Sequence, residues 1–361
     1  MIEPDHILFV DIVRAAGVYP LGHAFAPLVI LGPPQDAPGK APLCGNPRGL
    51  SSPGSAERFF QKWNFLVDKW IKWNINSIVP VCRPTGGNRM LPFALNHMTA
   101  PRLAWEPFLD LAAGLGCVGV EFRNDLPGPL FGGADPVAVG AATRARNLRL
   151  LALAEVKRFN DWSDAKRAEA EALMGIAVAA GAEAVSLIPR NDGLATDPAE
   201  RRAALRLALG ELLPMLRAHG LKAMVEPLGF EICALRHKAE AVEAIEALGG
   251  ADTFFLVHDT FHHHLAGGGP VFPAHTGIVH VSGVTDPALA VAEMRDGHRV
   301  LVDAQDRLGN AAQIEALLAG GYTGPISFEA FAEEVHALPD PSAALDASMA
   351  FLSARVAARA A

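Results

Sequence analysis

The stretch "DAKRAEAEALMGIAVAAGAEAVSLI", residues 164–188, holds two periodicities back to back. Its first part spaces apolar residues as an amphipathic helix does and reaches Gly181, the residue type expected just beyond a helix C-terminus. Directly afterwards "AEAVSLI" (182–188) is a short apolar run of the kind that forms a buried strand. A helix that hands the chain straight to a buried strand is one unit of a parallel β/α fold.

The same unit recurs on both sides. Candidate strands are "FALNH" (93–97), "CVGVEF" (117–122), "LRLLALAEV" (148–156), "LKAMVEP" (221–227), "FFLVHD" (254–259), "GIVHV" (277–281) and "PISFE" (325–329), which with 182–188 make eight. Between them run helical patterns such as "WEPFLDLAAGLG", "DPAERRAALRLALGELLPMLRAHG", "KAEAVEAIEALGG" and "NAAQIEALLAGGY". Eight such units in about 270 residues match the usual size of a (β/α)₈ TIM barrel. No G-x-G-x-x-G turn follows the first strand, which argues against a doubly wound sheet. A barrel over residues 90–361 is therefore expected.

Residues 1–89 break this rhythm and form an expected N-terminal extension. "LGPPQDAPGKAPLCGNPRGLSSPGS" (31–55) is rich in Pro, Gly and Ser and reads as loop or linker. In "AERFFQKWNFLVDKWIKWNINSIVPV" (56–81), Phe59, Trp63, Val67 and Trp70 recur at helical spacing. That face suits packing on the barrel, an oligomer contact or a dedicated binding segment.

Half of the 361 residues are hydrophobic, ample for a large core, and the net charge of −8 supplies no basic field for a phosphate backbone. A small-molecule partner is expected, with neither nucleic acid nor membrane, and a homo-oligomer is compatible with the sequence. Four dispersed cysteines form no C-x-x-C pair or disulfide scaffold, no signal-peptide pattern opens the chain, and no apolar run is long enough to span a bilayer. The expected location is the cytoplasm.

In a barrel of this kind the active site is built at the C-terminal ends of the strands. The last four candidate strands each end in a metal-capable side chain: Glu226, Asp259, His280 and Glu329. Singly, a strand-end carboxylate can cap a loop and a histidine can be a hydrogen-bonded core residue. Together, three carboxylates and an imidazole at one barrel mouth repel one another and lose hydration unless a cation compensates them. A divalent metal does so, and a nitrogen and oxygen set without thiolate suits Mn, Zn, Co or Mg.

At these residues the chain resembles the xylose isomerase-like barrel superfamily of sugar isomerases and epimerases, and most closely its inosose isomerase (2-keto-myo-inositol isomerase) branch. The resemblance spans roughly residues 90–340 and rests on "ALN" (94–96), "VEFRNDL" (120–126), "LALAEVKRFND" (151–161), "VEPLGFEICAL" (225–235), "HDTFHHHLAGG" (258–268) and "GYTGPISFEAF" (321–331). Its most specific element is D-x-F-H-x-H at Asp259, Phe261, His262 and His264. Where relatives often carry P-G-x-G before the last helix, this chain has "LVDAQDRLGN" (301–310).

The resemblance implies one divalent ion held by Glu226, Asp259, His280 and Glu329, with Glu226 and Glu329 doubling as catalytic base and acid. It further implies His262 as a proton-transfer or hydroxyl contact, and Asn96, His264 and Arg299 as substrate contacts. The implied reaction is isomerisation of a ketose or inosose through an enediolate. Epimerisation, hydroxypyruvate isomerisation and inosose dehydration use the same centre. The endonuclease IV type of repair nuclease shares the barrel, but it needs histidines after strands two and three that this chain lacks. Arg123, Lys157, Arg158 and Arg190 follow strands two to four, and if several face the mouth an anionic substrate gains ground. His298 is a further polar candidate beside Arg299. His258, preceding the ligand on a strand, is expected to face away in a structural role, and His263 to face solvent.

Overall fold

A computed structural model describes residues 91–195 and 197–360. The expected extension over 1–89, with its amphipathic segment, lies outside the described residues. The remainder is the expected barrel. Strands β1 (Phe93–Asn96), β2 (Gly119–Arg123), β3 (Arg149–Lys157), β4 (Ala184–Ile188), β5 (Lys222–Val225), β6 (Phe254–Asp259), β7 (Thr276–Val281) and β8 (Ile326–Phe328) pair in parallel and in chain order. Leu95 of β1 pairs with Val120 of β2 on one side and Phe328 of β8 on the other, which closes the ring.

The helices are α1 (Trp105–Gly114), α2 (Pro136–Ala145), α3 (Asp164–Ala180), α4 (Pro198–His219), α5 (Lys238–Ala247), α6 (Thr260–Leu265), α7 (Asn310–Ala319), α8 (Glu333–His336) and α9 (Ser342–Ala360). Their ends follow local chemistry. The Ser163 hydroxyl accepts from the Lys166 amide at the start of α3, and Gly181 closes that helix in the left-handed region at φ +70°. Asp197 caps α4 ahead of Pro198 by accepting from the Ala199 and Glu200 amides. Among the described residues no helix is long and apolar enough to cross a membrane.

Two apolar layers hold the barrel. Outward-facing strand residues such as Val120, Phe122, Leu256, Val279 and Phe328 pack under the helices with Phe108, Leu109, Met174 and Leu212. Inside, at the N-terminal end, Ala94, Leu151, Ala184, Met224, Val257 and Ile278 fill the lumen. Strand alternation then decides what stands above them. Two residues beyond Met224, Val257 and Ile278, the same inner face carries Glu226, Asp259 and His280.

The loop after β5 reaches the mouth through one glycine. A Cβ on Gly229 would lie 2.2 Å from the His262 carbonyl oxygen and 2.7 Å from Leu265 Cβ, so any larger residue must push α6 away. Gly229→Ala is expected to cost about 1–3 kcal/mol of stability, the usual range for overpacking. Chemical denaturation of the metal-free protein checks this, and an unchanged midpoint would show that the loop yields without strain.

Candidate metal centre

Glu226, Asp259, His280 and Glu329 each offer a ligand atom, and these atoms all lie within 4.8 Å of one another. All four residues are buried. The fit to a cation is clearest at His280. Its Nε2 lies 3.1 and 3.2 Å from the two carboxylate oxygens of Glu121, which the Ser327 hydroxyl holds in turn at 2.6 Å. Its Nδ1 lies 3.2 Å from Glu329 Oε2 and 3.9 Å from Glu226 Oε1, yet has no partner in hydrogen-bond geometry. A carboxylate that fixes one ring nitrogen and leaves the other aimed at acidic oxygens is the arrangement that supports a histidine ligand.

Asp259 has a divided role. Its Oδ1 accepts from the His262 amide at 2.9 Å and caps α6, while Oδ2 is left for the centre and for Arg299. Arg299 is 1% exposed and donates from Nη2 to Asp259 Oδ2 at 2.6 Å and to Glu329 Oε2 at 2.9 Å. Its guanidinium also stacks over Phe331 and Phe261, with 4.5 and 5.0 Å to the ring centroids. Arg123 approaches Glu329 from the other side, at 2.6 Å to Oε1.

These charges divide the two glutamates. Burial raises the Glu226 carboxyl well above the usual range, and the neighbouring Glu329 carboxylate adds to that, against the pull of His280. Burial also opposes ionisation of Glu329, but His280, Arg299 and Arg123 outweigh it and hold that carboxyl below its usual range. His280 loses charge through burial, yet Glu121 and Glu329 more than compensate and raise it well above its ordinary value. A ligand set that holds protons on His280 and Glu226 must release them when a metal binds. Metal affinity is therefore expected to rise with pH across neutrality, with proton release measurable by calorimetry in buffers of different ionisation enthalpy. Affinity independent of pH would contradict it.

The four ligands expected from the sequence thus meet at one point. His262 joins them, buried, lining the mouth with Nε2 4.0 Å from Glu226 Oε1. Arg299 also lines the mouth cavity, through a guanidinium engaged by acids. Two expected substrate contacts sit elsewhere. Asn96 is fully buried and donates to Glu329 Oε1 at 3.2 Å, holding the ligand instead of lining the cavity. His264 is only partly buried and feels Asp306 and Arg307, outside the cavity. The reason is that 260–265 is a helical turn, so His262 and His264 point to different sides of it.

His258 faces outward as expected, with Nε2 2.9 Å from Gln313 Oε1. His263 does not face open solvent: its Nδ1 meets Lys238 Nζ at 2.7 Å, and its ring packs on His258 at 4.8 Å. His298 is exposed and accepts from the Arg295 amide.

Of the cations after strands two to four, Arg123, Lys157 and Arg158 line the mouth cavity of about 420 Å³ and Arg190 does not. Sequence reasoning missed Glu121 and Glu155, buried acids on β2 and β3. The signal was there, since "GVEFR" and "LALAEVK" each place a carboxylate inside an otherwise apolar strand. Glu121→Gln is expected to weaken metal binding by about 10–100-fold, the usual effect of losing a partner behind a histidine ligand. A competitive chelator titration measures this, and wild-type affinity would show that Glu121 does not orient His280.

Fold and cluster together define a class, a (β/α)₈ barrel with a metal-capable acid and imidazole centre at its C-terminal mouth. The family model described as "Xylose isomerase-like TIM barrel" matches residues 109–355, and the chain belongs to that family. No curated protein matches the sequence. Among solved structures, a xylose isomerase domain containing protein from Salmonella typhimurium LT2 is similar at 26% identity and TM-score 0.66, covering 76% of this chain and 100% of that one. The IolI protein crystallised with a zinc atom is 19% identical at TM-score 0.67, covering 74% and 99%. An L-ribulose 3-epimerase is 18% identical at TM-score 0.56, covering 74% and 95%.

Proposed function

We propose that this protein is a divalent-metal-dependent isomerase of neutral ketoses or inososes, such as 2-keto-myo-inositol, acting through an enediolate. The observation that carries the reading is the pair of buried glutamates Glu226 and Glu329, which line one cavity and belong to a cluster whose donor atoms all lie within 4.8 Å of one another. Two carboxylates facing one substrate can each take up and release a proton in one cycle. The ion, when bound, supplies Lewis acidity that stabilises negative charge developing on the substrate oxygens. Zinc in the IolI structure supports a metal of this kind here without fixing its identity.

Glu329, held ionised, takes the proton from the carbon beside the substrate carbonyl. Glu226 takes the proton of the adjacent hydroxyl and delivers it to the neighbouring carbon, while the proton on Glu329 passes to the former carbonyl oxygen. This moves the carbonyl by one position and leaves both carboxylates as they began. His262 is kept neutral because burial lowers it, against Asp259, so it can meet a substrate hydroxyl as donor or acceptor beside Glu226. Phe230, Phe331, Leu228 and Ile188 line the cavity and thin out water around these groups.

The charge of the cavity favours a neutral substrate over an anionic one such as hydroxypyruvate. Four cations and six carboxylates line it, and Asp259 adds a further carboxylate at the candidate metal centre, so the cations are outnumbered by acids even with a divalent ion. Each cation is already paired: Arg123 with Asp125, Glu155 and Glu329, Lys157 with Glu155, Arg158 with Asp161 and Asp192, and Arg299 with Asp259, Asp296 and Glu329. The two buried arginines are therefore committed to carboxylates already present, and only the exposed Lys157 and Arg158 hold their partners loosely. Buried, reduced Cys117 and Cys233 fit work in the cytoplasm.

The test is product identification after incubating the Mn-loaded protein with 2-keto-myo-inositol and a panel of neutral ketoses and hydroxypyruvate. The reading expects a new isomer of unchanged mass from a neutral substrate. A product lighter by one water would make the protein a dehydratase, an inverted centre with the carbonyl unmoved would make it an epimerase, and turnover of hydroxypyruvate alone would overturn the neutral-substrate argument.

A further inference from the structure

A second cavity, of about 240 Å³, shares the His262 wall with the catalytic one and opens between the start of α5 and the glycine-rich turn after α6. Its titratable lining is entirely basic. Arg236, His237, Lys238, His262 and His263 face it, and no carboxylate is among the residues that line it.

Lys238 stands out within this group. Among the described residues three cationic side chains of the Arg and Lys type are buried: Arg123, Lys238 and Arg299. The two arginines are each held by three carboxylates. Lys238, 8% exposed, has no carboxylate within ion-pair distance among the described residues, and its single hydrogen bond goes to His263 Nδ1 at 2.7 Å. Burying an ammonium without a counter-charge is costly. Desolvation accordingly lowers Lys238 to about 7, with only a partial correction from Asp259, so a bound anion would restore its charge.

Two further groups without a hydrogen-bond or capping partner belong to residues that line the cavity. His262 is 4% exposed and its Nδ1 has no hydrogen-bond partner. Helix α5, ten residues long, begins at Lys238 with no side-chain cap from His237, and its first residues line the cavity. Uncapped amides at a helix N-terminus favour negative charge.

We propose that this cavity is an anion site that takes a phosphate-class oxyanion between Lys238, the His262 and His263 imidazoles and the first turn of α5. The site shares His262 with the catalytic cavity but needs no metal, so its test uses metal-free protein and does not depend on the isomerase reading.

The experiment is titration of chelator-stripped wild-type protein with inorganic phosphate by calorimetry, repeated on Lys238→Met, Lys238→Arg and Lys157→Met. Saturable binding is expected in the wild type, weaker by about tenfold or more in Lys238→Met, corresponding to at least about 1.4 kcal/mol. Lys238→Arg and Lys157→Met, the latter at the catalytic mouth, are expected to bind nearly as the wild type does. A measurement without variants stands beside it: phosphate should protect Lys238 from amine acylation, read by peptide mass spectrometry on the native chain. Equal binding by all four proteins, or acylation of Lys238 at the same rate with and without phosphate, would overturn the proposal.

Discussion

Glu329→Gln is expected to lower turnover by roughly 10³-fold, within the range that general acid–base groups contribute, with the barrel still folded. The amide is isosteric, so the cavity keeps its shape, but it cannot accept the substrate proton. It also removes the negative charge that Arg123, Arg299 and His280 all address, at 2.6, 2.9 and 3.2 Å. Metal affinity should fall with turnover, and saturating metal should restore binding without restoring the rate. Proton NMR in D₂O, following solvent deuterium into the carbon-bound position of the substrate, separates the two. A variant that exchanges within about tenfold of wild type, outside what loss of a base allows, would assign the base to another residue.

Arg299→Met is expected to have the largest effect on stability. The guanidinium balances Asp259 and Glu329 at the centre of the mouth while packing on Phe261 and Phe331. Methionine keeps some of that packing and removes the charge, which leaves buried carboxylates without their partner. Breaking a buried pair from one side costs about 3–5 kcal/mol. The loss should be greatest in metal-free protein and smaller with saturating Mn, because an ion bound only by the folded state both neutralises the same carboxylates and stabilises by linkage. Denaturant titrations with and without metal test both halves. A loss of equal size in the two states would show that Arg299 stabilises by packing alone.

The barrel was legible in the sequence because its buried strands read as continuous apolar runs and its helices end at glycines such as Gly181 and Gly220. Helix α2 is not among the helical patterns named from the sequence, and it contains Gly140. In the fold that glycine is an intimate helix contact, since a Cβ there would lie 2.0 Å from the Ala180 carbonyl oxygen of α3. Packing between distant segments decides such a residue, and local propensity cannot register it.

The site divided along the same line. Metal-capable side chains at strand ends follow from alternation within one strand, and all four converge. Asn96 and His264 required knowledge of which side chains meet across the barrel and of how Asp259 caps α6, and neither lines the cavity. Glu121 shows the same limit in reverse. Its importance comes from a histidine 159 positions away in the chain, brought within 3.1 Å by barrel closure.

The most direct test of the metal-centred account is a crystal structure of the protein soaked in Mn, with anomalous difference density collected at the manganese edge. The account predicts one strong peak bonded to Glu226, Asp259, His280 Nδ1 and Glu329, with His280 Nε2 still on Glu121. A peak elsewhere, or none between these residues at saturating Mn, would show that the acidic cluster is satisfied by Arg299 and His280 alone and is not a metal centre.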